Sequence, residues 1–204
     1  METALEQIAD AVEQASHHGL PLLIGGEHTA TLGAVRGALR HYPDLYVIQL
    51  DAHLDLRDTY DGVTLSHATV MRRVIEAIGG ERLVQLGIRS GVREEFEVAS
   101  RCLASSPWLT LTPDARLQIS EHPIYLTIDI DVLDPAGAPG TGCPEPGGPS
   151  FAELLSFIYS LKGLNVIAAD VTEVLPSSDV NDVTSVAAAK LLREIALLFA
   201  KPYA

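Results

Sequence analysis

The chain has 204 residues, 47% of them hydrophobic, and its 27 acidic and 14 basic residues give a formal net charge of −13. This composition excludes a disordered protein, and the length suits a single domain that spans residues 1–204. The negative charge argues against nucleic acid or anionic lipid as a partner and is compatible with a small cationic ligand.

The beginning of the chain and its cysteines indicate a cellular compartment. The first residues are acidic and amphipathic, unlike a secretory signal, and no apolar run approaches the about 20 residues that cross a bilayer. Two cysteines, Cys102 and Cys143, are too few for a disulfide framework. We therefore expect a cytoplasmic protein without a membrane-spanning segment.

Apolar runs alternate with helical periodicity along the chain. Helical spacing predicts helices at 5–16, around 32–39, at 70–78, around 151–158 and at about 182–199. Continuous apolar runs predict strands at 21–25, 45–51, 83–88, 107–111, 124–130 and 165–171. This alternation predicts an α/β fold in which a mainly parallel sheet is covered by helices on both faces.

One segment of the chain, residues 134–149, has an unusual composition. Proline and glycine occupy ten of its sixteen positions. This composition predicts an irregular loop that proline stiffens, long enough to have a functional role. Neither an internal repeat nor a linker divides the chain, so we expect one domain.

Ionisable side chains follow several of the predicted strands. In an open α/β sheet, ligands bind at the edge formed by the carboxyl ends of the strands. We therefore expect four separate segments to direct their polar side chains into one crevice. The residues concerned are His28, Asp51, His53, Asp55, Asp129, Asp131 and Glu173.

The spacing and chemistry of these residues favour a metal site. In a fully extended chain Asp51 and Asp55 would lie about 13 Å apart, too far for one ion. If the chain curls after the strand, the same residues can surround two ions about 3.5–4 Å apart. Four carboxylates are difficult to bury without cations, and an oxygen-rich set without thiolates suits Mn²⁺ better than structural zinc.

Each of these residues, taken alone, also has a structural explanation. An isolated Asp or His after a strand is commonly a helix cap or a loop residue. DAHLD (51–55) can be a solvated strand end, and DIDVLDP (129–135) can be an Asp-Pro turn. Their joint position at one edge of the sheet favours the metal site.

Five segments of the sequence resemble signature blocks of the ureohydrolase family, which includes arginase, agmatinase and related guanidino-acid hydrolases. They occur in the family's order: GGEHT (25–29), DAHLDLRD (51–58), SHAT (66–69), TIDIDVLDPAGAPGTGCPEPGG (127–148) and DVTEVLP (170–176). The resemblance implies a three-layer αβα fold and a centre with two Mn²⁺ ions. It implies as ligands His28, Asp51, His53, Asp55, Asp129 and Asp131.

The resemblance also implies a reaction, the hydrolysis of a guanidino group to urea and an amine. Two metal ions lower the pKa of a shared water, and Asp55 is suited to accept or relay its proton. Glu173 would hold the planar guanidinium, and His67 would protonate the leaving amine. Alternatively, Glu173 is a capping acid ahead of Pro176, and His67 is only a residue at a helix start.

The substrate that the resemblance favours is agmatine, which would give putrescine and urea. The pattern LRDxYxGxxxSHAT and the segment GTGxPEPGG resemble agmatinases, and Asp58 would lie near the mouth of the site. Arg57 can instead pair with a carboxylate, which leaves guanidinobutyrate, guanidinopropionate or arginine as alternatives. Cys143 stands where the family usually has Thr.

The chain is shorter than is usual for the family, and this leaves a second class of function open. The chain could be a metal-binding or assembly protein with little catalysis. The resemblance implies an eight-stranded sheet whose first two strands have no counterpart here, which predicts the strand order 1-6-5-2-3-4. The first strand would then be an apolar edge open to another chain, so we expect a homo-oligomer.

Overall fold

The protein is described by a computed structural model that covers residues 1–200. Within these residues, seven α-helices and six strands follow one another along the chain. In chain order they are α1 (Glu2–Ser16), β1 (Leu22–Ile24), α2 (Ala30–Leu39), β2 (Tyr46–Leu50), α3 (Val70–Ile78), β3 (Leu83–Leu86), α4 (Arg93–Ala99), β4 (Ala104–Ser106), α5 (Pro113–Ile119), β5 (Pro123–Asp129), α6 (Phe151–Ser160), β6 (Asn165–Thr172) and α7 (Val183–Phe199).

The six strands form one sheet in the order β1-β6-β5-β2-β3-β4, and all neighbouring strands are parallel. The predicted α/β class and the predicted strand order are therefore confirmed. The four strands that precede the predicted ligands and Glu173 are β1, β6, β5 and β2, which are contiguous. Since all strands run the same way, their carboxyl ends meet at one edge.

Helices cover both faces of the sheet and create two hydrophobic cores. One core joins α1, α2 and α3 to strand residues such as Val47, and the other joins α6 and α7 to residues such as Ile48. Successive side chains of a strand point to opposite faces, so a continuous apolar strand supplies both cores. The architecture is thus the predicted three-layer αβα arrangement.

The far edge of the sheet differs from the prediction. The fourth strand is Ala104–Ser106, whereas the apolar run 107–111 lies outside it and leaves Trp108 73% exposed. Pro107 has no backbone N–H to contribute to a ladder, which explains why the strand ends there. Helices α4 and α5 were not predicted, because seven residues are too few for a clear helical period.

The opposite edge of the sheet is β1. Helix α1 packs so closely on α2 that a Cβ atom at Gly37 would collide with the carbonyl oxygen of Ala9. Within residues 1–200 no strand pairs with the outer edge of β1, and Ile24 is 76% exposed. A groove of about 430 Å³ between α1 and β1 is lined by apolar residues including Ile8 and Leu22.

A helix needs about 20 predominantly apolar residues to cross a bilayer. None of the helices within residues 1–200 is both long enough and apolar enough to cross a membrane.

Candidate metal centre

His28 lies at the centre of the candidate site. It follows β1 in the segment GGEHT, and its side chain is fully buried. Its Nδ1 atom lies 3.0 Å from Oδ2 of Asp55, 3.3 Å from Oδ2 of Asp51 and 3.4 Å from Oδ2 of Asp129. Three carboxylates from two different strands therefore converge on one imidazole nitrogen.

A curl of the chain after β2 brings Asp51 and Asp55 together. Asp55 has the left-handed backbone angle φ 55°, and the carboxylate of Asp51 accepts a 2.6 Å hydrogen bond from the backbone N–H of His53. The ligand atoms of His28, Asp51 and Asp55 lie within 4.8 Å of one another. An extended chain would have held the two aspartates about 13 Å apart, so this compact arrangement depends on the curl.

A second group of possible ligands shares Asp51 with the first. It consists of Asp51, His53 and Asp131, and its ligand atoms also lie within 4.8 Å of one another. Nδ1 of His53 is 2.9 Å from Oδ2 of Asp131, whose Oδ1 accepts a hydrogen bond from the N–H of Ala52. Asp51 belongs to both groups of possible ligands. A carboxylate shared in this way suits two neighbouring metal ions.

The electrostatics of this cluster fit divalent cations. Burial and the neighbouring charge of Asp51 raise the pKa of Asp55 to about 8. Burial, followed by the charges of Asp131 and Asp51, also raises the pKa of Asp129. Burial by itself would lower the pKa of His53, but hydrogen bonds to Asp131 and Asp51 outweigh it and raise that pKa to about 11. Burial would also raise the pKa of Asp51, but hydrogen bonds to His28 and His53 outweigh it and lower that pKa. Asp55 and Asp129 thus favour the protonated form at positions where nearby cations would favour the charged carboxylate.

Glu173 follows β6 and is placed against the segment that carries His28. Its backbone has φ 63°, and its N–H donates to the carbonyl of Gly26 at 2.7 Å. Its Oε1 accepts a 2.6 Å hydrogen bond from the backbone N–H of His28, while Oε2 accepts none within residues 1–200. Burial raises the pKa of Glu173 against the opposing effect of this hydrogen bond.

A pocket of about 210 Å³ opens above the cluster, and His67 is part of its wall. The pocket is also lined by the ligand candidates Asp55 and Asp131 and by Glu173. The side chain of His67 is 41% exposed, and its Nδ1 lies 3.7 Å from Oε1 of Glu27. The structure therefore brings the predicted proton donor to the same pocket as the predicted ligands.

The two residues predicted to contact the far end of a substrate have different positions. Arg57 lines the pocket, with its guanidinium 5.3 Å from the centre of the Tyr60 ring and its Nε 3.6 Å from Oε2 of Glu95. Asp58 is not among the residues that line the pocket. Its 72% exposed carboxylate pairs with Arg73 at 2.8 Å, so within residues 1–200 it has a surface partner.

Several residues of the pocket wall were missed from the sequence. Tyr60 contacts the edge of the His67 ring at 5.4 Å between ring centres. Glu95 is buried, and its carboxylate accepts hydrogen bonds from the N–H groups of Leu56 and Val92, both at 2.9 Å. An acidic residue in the first turn of a helix is an ordinary helix start, so the sequence alone carries no signal for this role.

A further group of missed residues lies inside the strands below the centre. The side-chain amide of Gln49 donates to Asp51 at 2.6 Å, and that of Gln85 donates to Gln49 at 2.6 Å. Thr127 and Asp170 form a similar chain under His28. The sequence does contain a signal for these residues, because each is a polar residue in the middle of an apolar strand. Burying such a side chain costs free energy unless it is hydrogen-bonded.

Arg89 connects the loop that carries Asp131 to the Pro/Gly-rich segment 134–149. Its guanidinium donates to the carbonyl of Asp131 at 2.9 Å and to the carbonyl of Glu145 at 2.7 Å. A Cβ atom at Gly148 would lie 2.7 Å from this guanidinium. The glycine therefore leaves room for the arginine to hold both segments.

Comparisons with known proteins agree with this geometry. The Arginase family profile matches residues 1–198. The chain is 42% identical to the agmatinase of Bacillus anthracis, over 98% of this chain and 71% of that protein. It is 34% identical to the guanidinobutyrase of Pseudomonas aeruginosa, over 94% of this chain and 65% of that protein.

The fold also matches a solved structure. The agmatine ureohydrolase of Thermoplasma volcanium superposes with a TM-score of 0.80 at 32% identity, covering 95% of this chain and 67% of that one. The chain therefore spans about two thirds of the length of these relatives. On its profile match, its sequence similarity and its fold, the chain belongs to the arginase family of ureohydrolases.

Proposed function

We propose that this protein hydrolyses agmatine to putrescine and urea at a centre of two Mn²⁺ ions. The observation that carries the proposal is the pair of ligand groups that share Asp51 at the floor of a pocket. The ions would be held by His28, Asp51, His53, Asp55, Asp129 and Asp131. An oxygen-rich set with two imidazoles and without thiolates suits Mn²⁺.

The bound ions would supply a water activated for attack at neutral pH. Glu173 would hold the guanidinium, since its Oε2 accepts no hydrogen bond within residues 1–200 and the residue lines the pocket. A carboxylate binds a guanidinium through charge-assisted hydrogen bonds, which orient the planar group as well as attract it. Glu173 therefore acts as the residue that presents the central carbon.

Two further residues would handle protons. Asp55 lies on the floor of the pocket and can accept a proton released during the attack. His67 lies on the wall, 3.7 Å from Glu27, and can pass a proton to the amine that leaves. In this proposal Asp55 is the proton acceptor at the floor of the pocket, and His67 is the proton donor at its wall.

The candidate substrates differ in the group at the end opposite the guanidinium. Agmatine ends in an ammonium group, which suits the net charge of −13, and similarity to the agmatinases supports it. Arg57 on the pocket wall favours a carboxylate instead, as in guanidinobutyrate or the other guanidino acids. The 3.6 Å approach of Glu95 reduces the positive charge that Arg57 presents, so agmatine remains the first choice.

Urea release from a panel of agmatine, guanidinobutyrate, guanidinopropionate and arginine, with added Mn²⁺, tests the proposal. We expect agmatine to give the highest kcat/KM, and Arg57→Met to lower activity on guanidino acids more than on agmatine. A preference for guanidinobutyrate that Arg57→Met abolishes would support the acid substrate. Bound Mn²⁺ without urea from any substrate would favour the metal-binding or assembly protein.

We also propose that the chain forms a homo-oligomer through its β1 edge. The support is the open edge, the exposed Ile24 and the apolar groove between α1 and β1. Light scattering at micromolar concentration should give a mass above that of one 21.8 kDa chain. Ile24→Lys should shift the mass toward the monomer, and a monomeric wild-type chain would contradict the proposal.

A further inference from the structure

A chain of buried hydrogen bonds leads from His28 into the core, on the side of the ring opposite the carboxylates. Nε2 of His28 lies 3.0 Å from Oγ1 of Thr127, and this hydroxyl donates to Oδ1 of Asp170 at 2.6 Å. All three side chains are fully buried. Thr127 lies on β5 and Asp170 on β6, so the chain crosses between neighbouring strands.

The direction of these hydrogen bonds follows from the partners of Asp170. Its Oδ2 accepts from the hydroxyl of Tyr125 at 2.7 Å and from the hydroxyl of Thr31 at 2.8 Å. The ionised carboxylate of Asp170 is an acceptor only, so Thr127 gives its single hydroxyl hydrogen to Asp170. Toward His28, Thr127 can then act only as an acceptor.

The consequence concerns the tautomer of His28. Because Thr127 accepts at Nε2, that nitrogen carries a hydrogen. In the neutral imidazole, which is the form that binds a metal ion, Nδ1 then has the lone pair. Nδ1 is the atom that lies 3.0–3.4 Å from the carboxylates of Asp55, Asp51 and Asp129. The imidazole is therefore oriented with its lone pair toward the position that a metal ion would occupy.

We propose that Asp170 is a positioning residue that acts through Thr127 to hold His28 in its metal-binding tautomer and orientation. This inference rests on the proposed metal centre. A buried carboxylate is costly, and within residues 1–200 the hydrogen-bond partners of Asp170 are three hydroxyls and no basic side chain. Partners of this kind around a metal ligand typically change metal affinity by about 10–100-fold.

The experiment compares Mn²⁺ dissociation constants of the metal-free full chain, measured from the electron paramagnetic resonance signal of free Mn²⁺. Thr127→Val keeps the shape of the side chain and removes the acceptor, and we expect weaker Mn²⁺ binding by about 10–100-fold. Thr127→Ser restores the hydroxyl and should restore affinity. At saturating Mn²⁺, the KM for agmatine should stay close to that of the wild type.

Tyr125→Phe is the matched control. It removes a buried hydroxyl from the same carboxylate but keeps the connection from Asp170 through Thr127 to His28. We expect its Mn²⁺ affinity to stay within about threefold of the wild type, well below the loss expected for Thr127→Val. Circular dichroism of each metal-free variant establishes that it is folded. If Thr127→Val does not fold, Thr127→Ala removes the same hydroxyl with a smaller side chain.

The outcomes separate this inference from the proposed function. Wild-type affinity in Thr127→Val or Thr127→Ala overturns the role of the hydrogen-bond chain while leaving the metal centre in place. An equal loss in Tyr125→Phe also overturns it, since the effect would then come from core packing. A wild-type chain that binds no Mn²⁺ overturns the proposed metal centre itself.

Discussion

The Oδ2 atom of Asp55 lies 3.0 Å from Nδ1 of His28, although 27 positions separate the two residues in the chain. The contact requires the left-handed backbone of Asp55, with φ 55°. Glu173, on the other side of His28, is left-handed as well, with φ 63°. Such residues cost about 1–3 kcal/mol each and persist where the surroundings over-determine them. Two of the five left-handed non-glycine residues within residues 1–200 therefore lie in the candidate site.

Replacing Asp131 by Asn tests the second ligand group. The change removes one negative charge beside His53 and keeps the size of the side chain. We expect loss of activity and of much of the Mn²⁺ affinity, measured as bound metal per chain after dialysis. Asp114→Asn, an exposed change in the first turn of α5, is the matched control. Two fully occupied sites in Asp131→Asn would show that this carboxylate is not a ligand.

His67→Ala tests the proton donor. Turnover should fall by about 10²–10⁴-fold, the usual contribution of a general acid–base group, while the bound metal is unchanged. His122→Ala serves as control, since His122 pairs with Asp44 ahead of β5, at the opposite end of the sheet. Ordinary turnover in His67→Ala would leave His67 only as a residue at a helix start.

Arg89→Met tests the connection between the Asp131 loop and the segment 134–149. It removes the Arg89 donors of the carbonyls of Asp131 and Glu145, whose hydrogen bonds are partly buried. A fully buried unsatisfied group costs about 1–3 kcal/mol, which is the upper bound for each of these carbonyls. We expect a lower free energy of unfolding in urea and a higher KM. Arg116→Met also removes hydrogen bonds to carbonyls, but exposed ones. An equal effect of both changes would show that Arg89 has no special role.

Asp179 provides a test by pH. Burial would raise the pKa of Asp179, but hydrogen bonds from the N–H groups of Thr184 and Ser185 and from the Ser185 hydroxyl outweigh it and lower the pKa to about 2. The unfolded value is about 3.9, so the stabilisation is fully present above that pH and is lost as the pH falls through about 2.

The variant for this test is Asp179→Asn, measured by thermal unfolding without metal. Its midpoint should lie below that of the wild type at pH 6, because the N-terminal end of α7 loses a charged acceptor. The difference should shrink as the pH is lowered from 5 toward 2. A difference that stays constant over this range would show that the charge of Asp179 does not contribute.

The sequence by itself determined the fold class and the convergence of the ligand candidates, and its resemblance to the ureohydrolase family implied the strand order. Apolar runs such as LYVIQL are long and continuous. Such a run predicts a buried strand whichever strands lie beside it. Once all strands are parallel, Asp51, Asp129 and Glu173 must share one edge of the sheet. The curl that joins Asp51 to Asp55 was also expected, because an extended chain cannot place both at one ion.

Only the tertiary structure decided how side chains distant in sequence pair with one another. Asp58 was expected near the substrate, and the structure shows it in an ion pair with Arg73, outside the set of residues that line the pocket. The chain from His28 through Thr127 to Asp170 depends on the register between β5 and β6, which opposes Thr127 to Asp170. Because β5 is buried along its whole length, its sequence has no alternating pattern that would specify its register with β6.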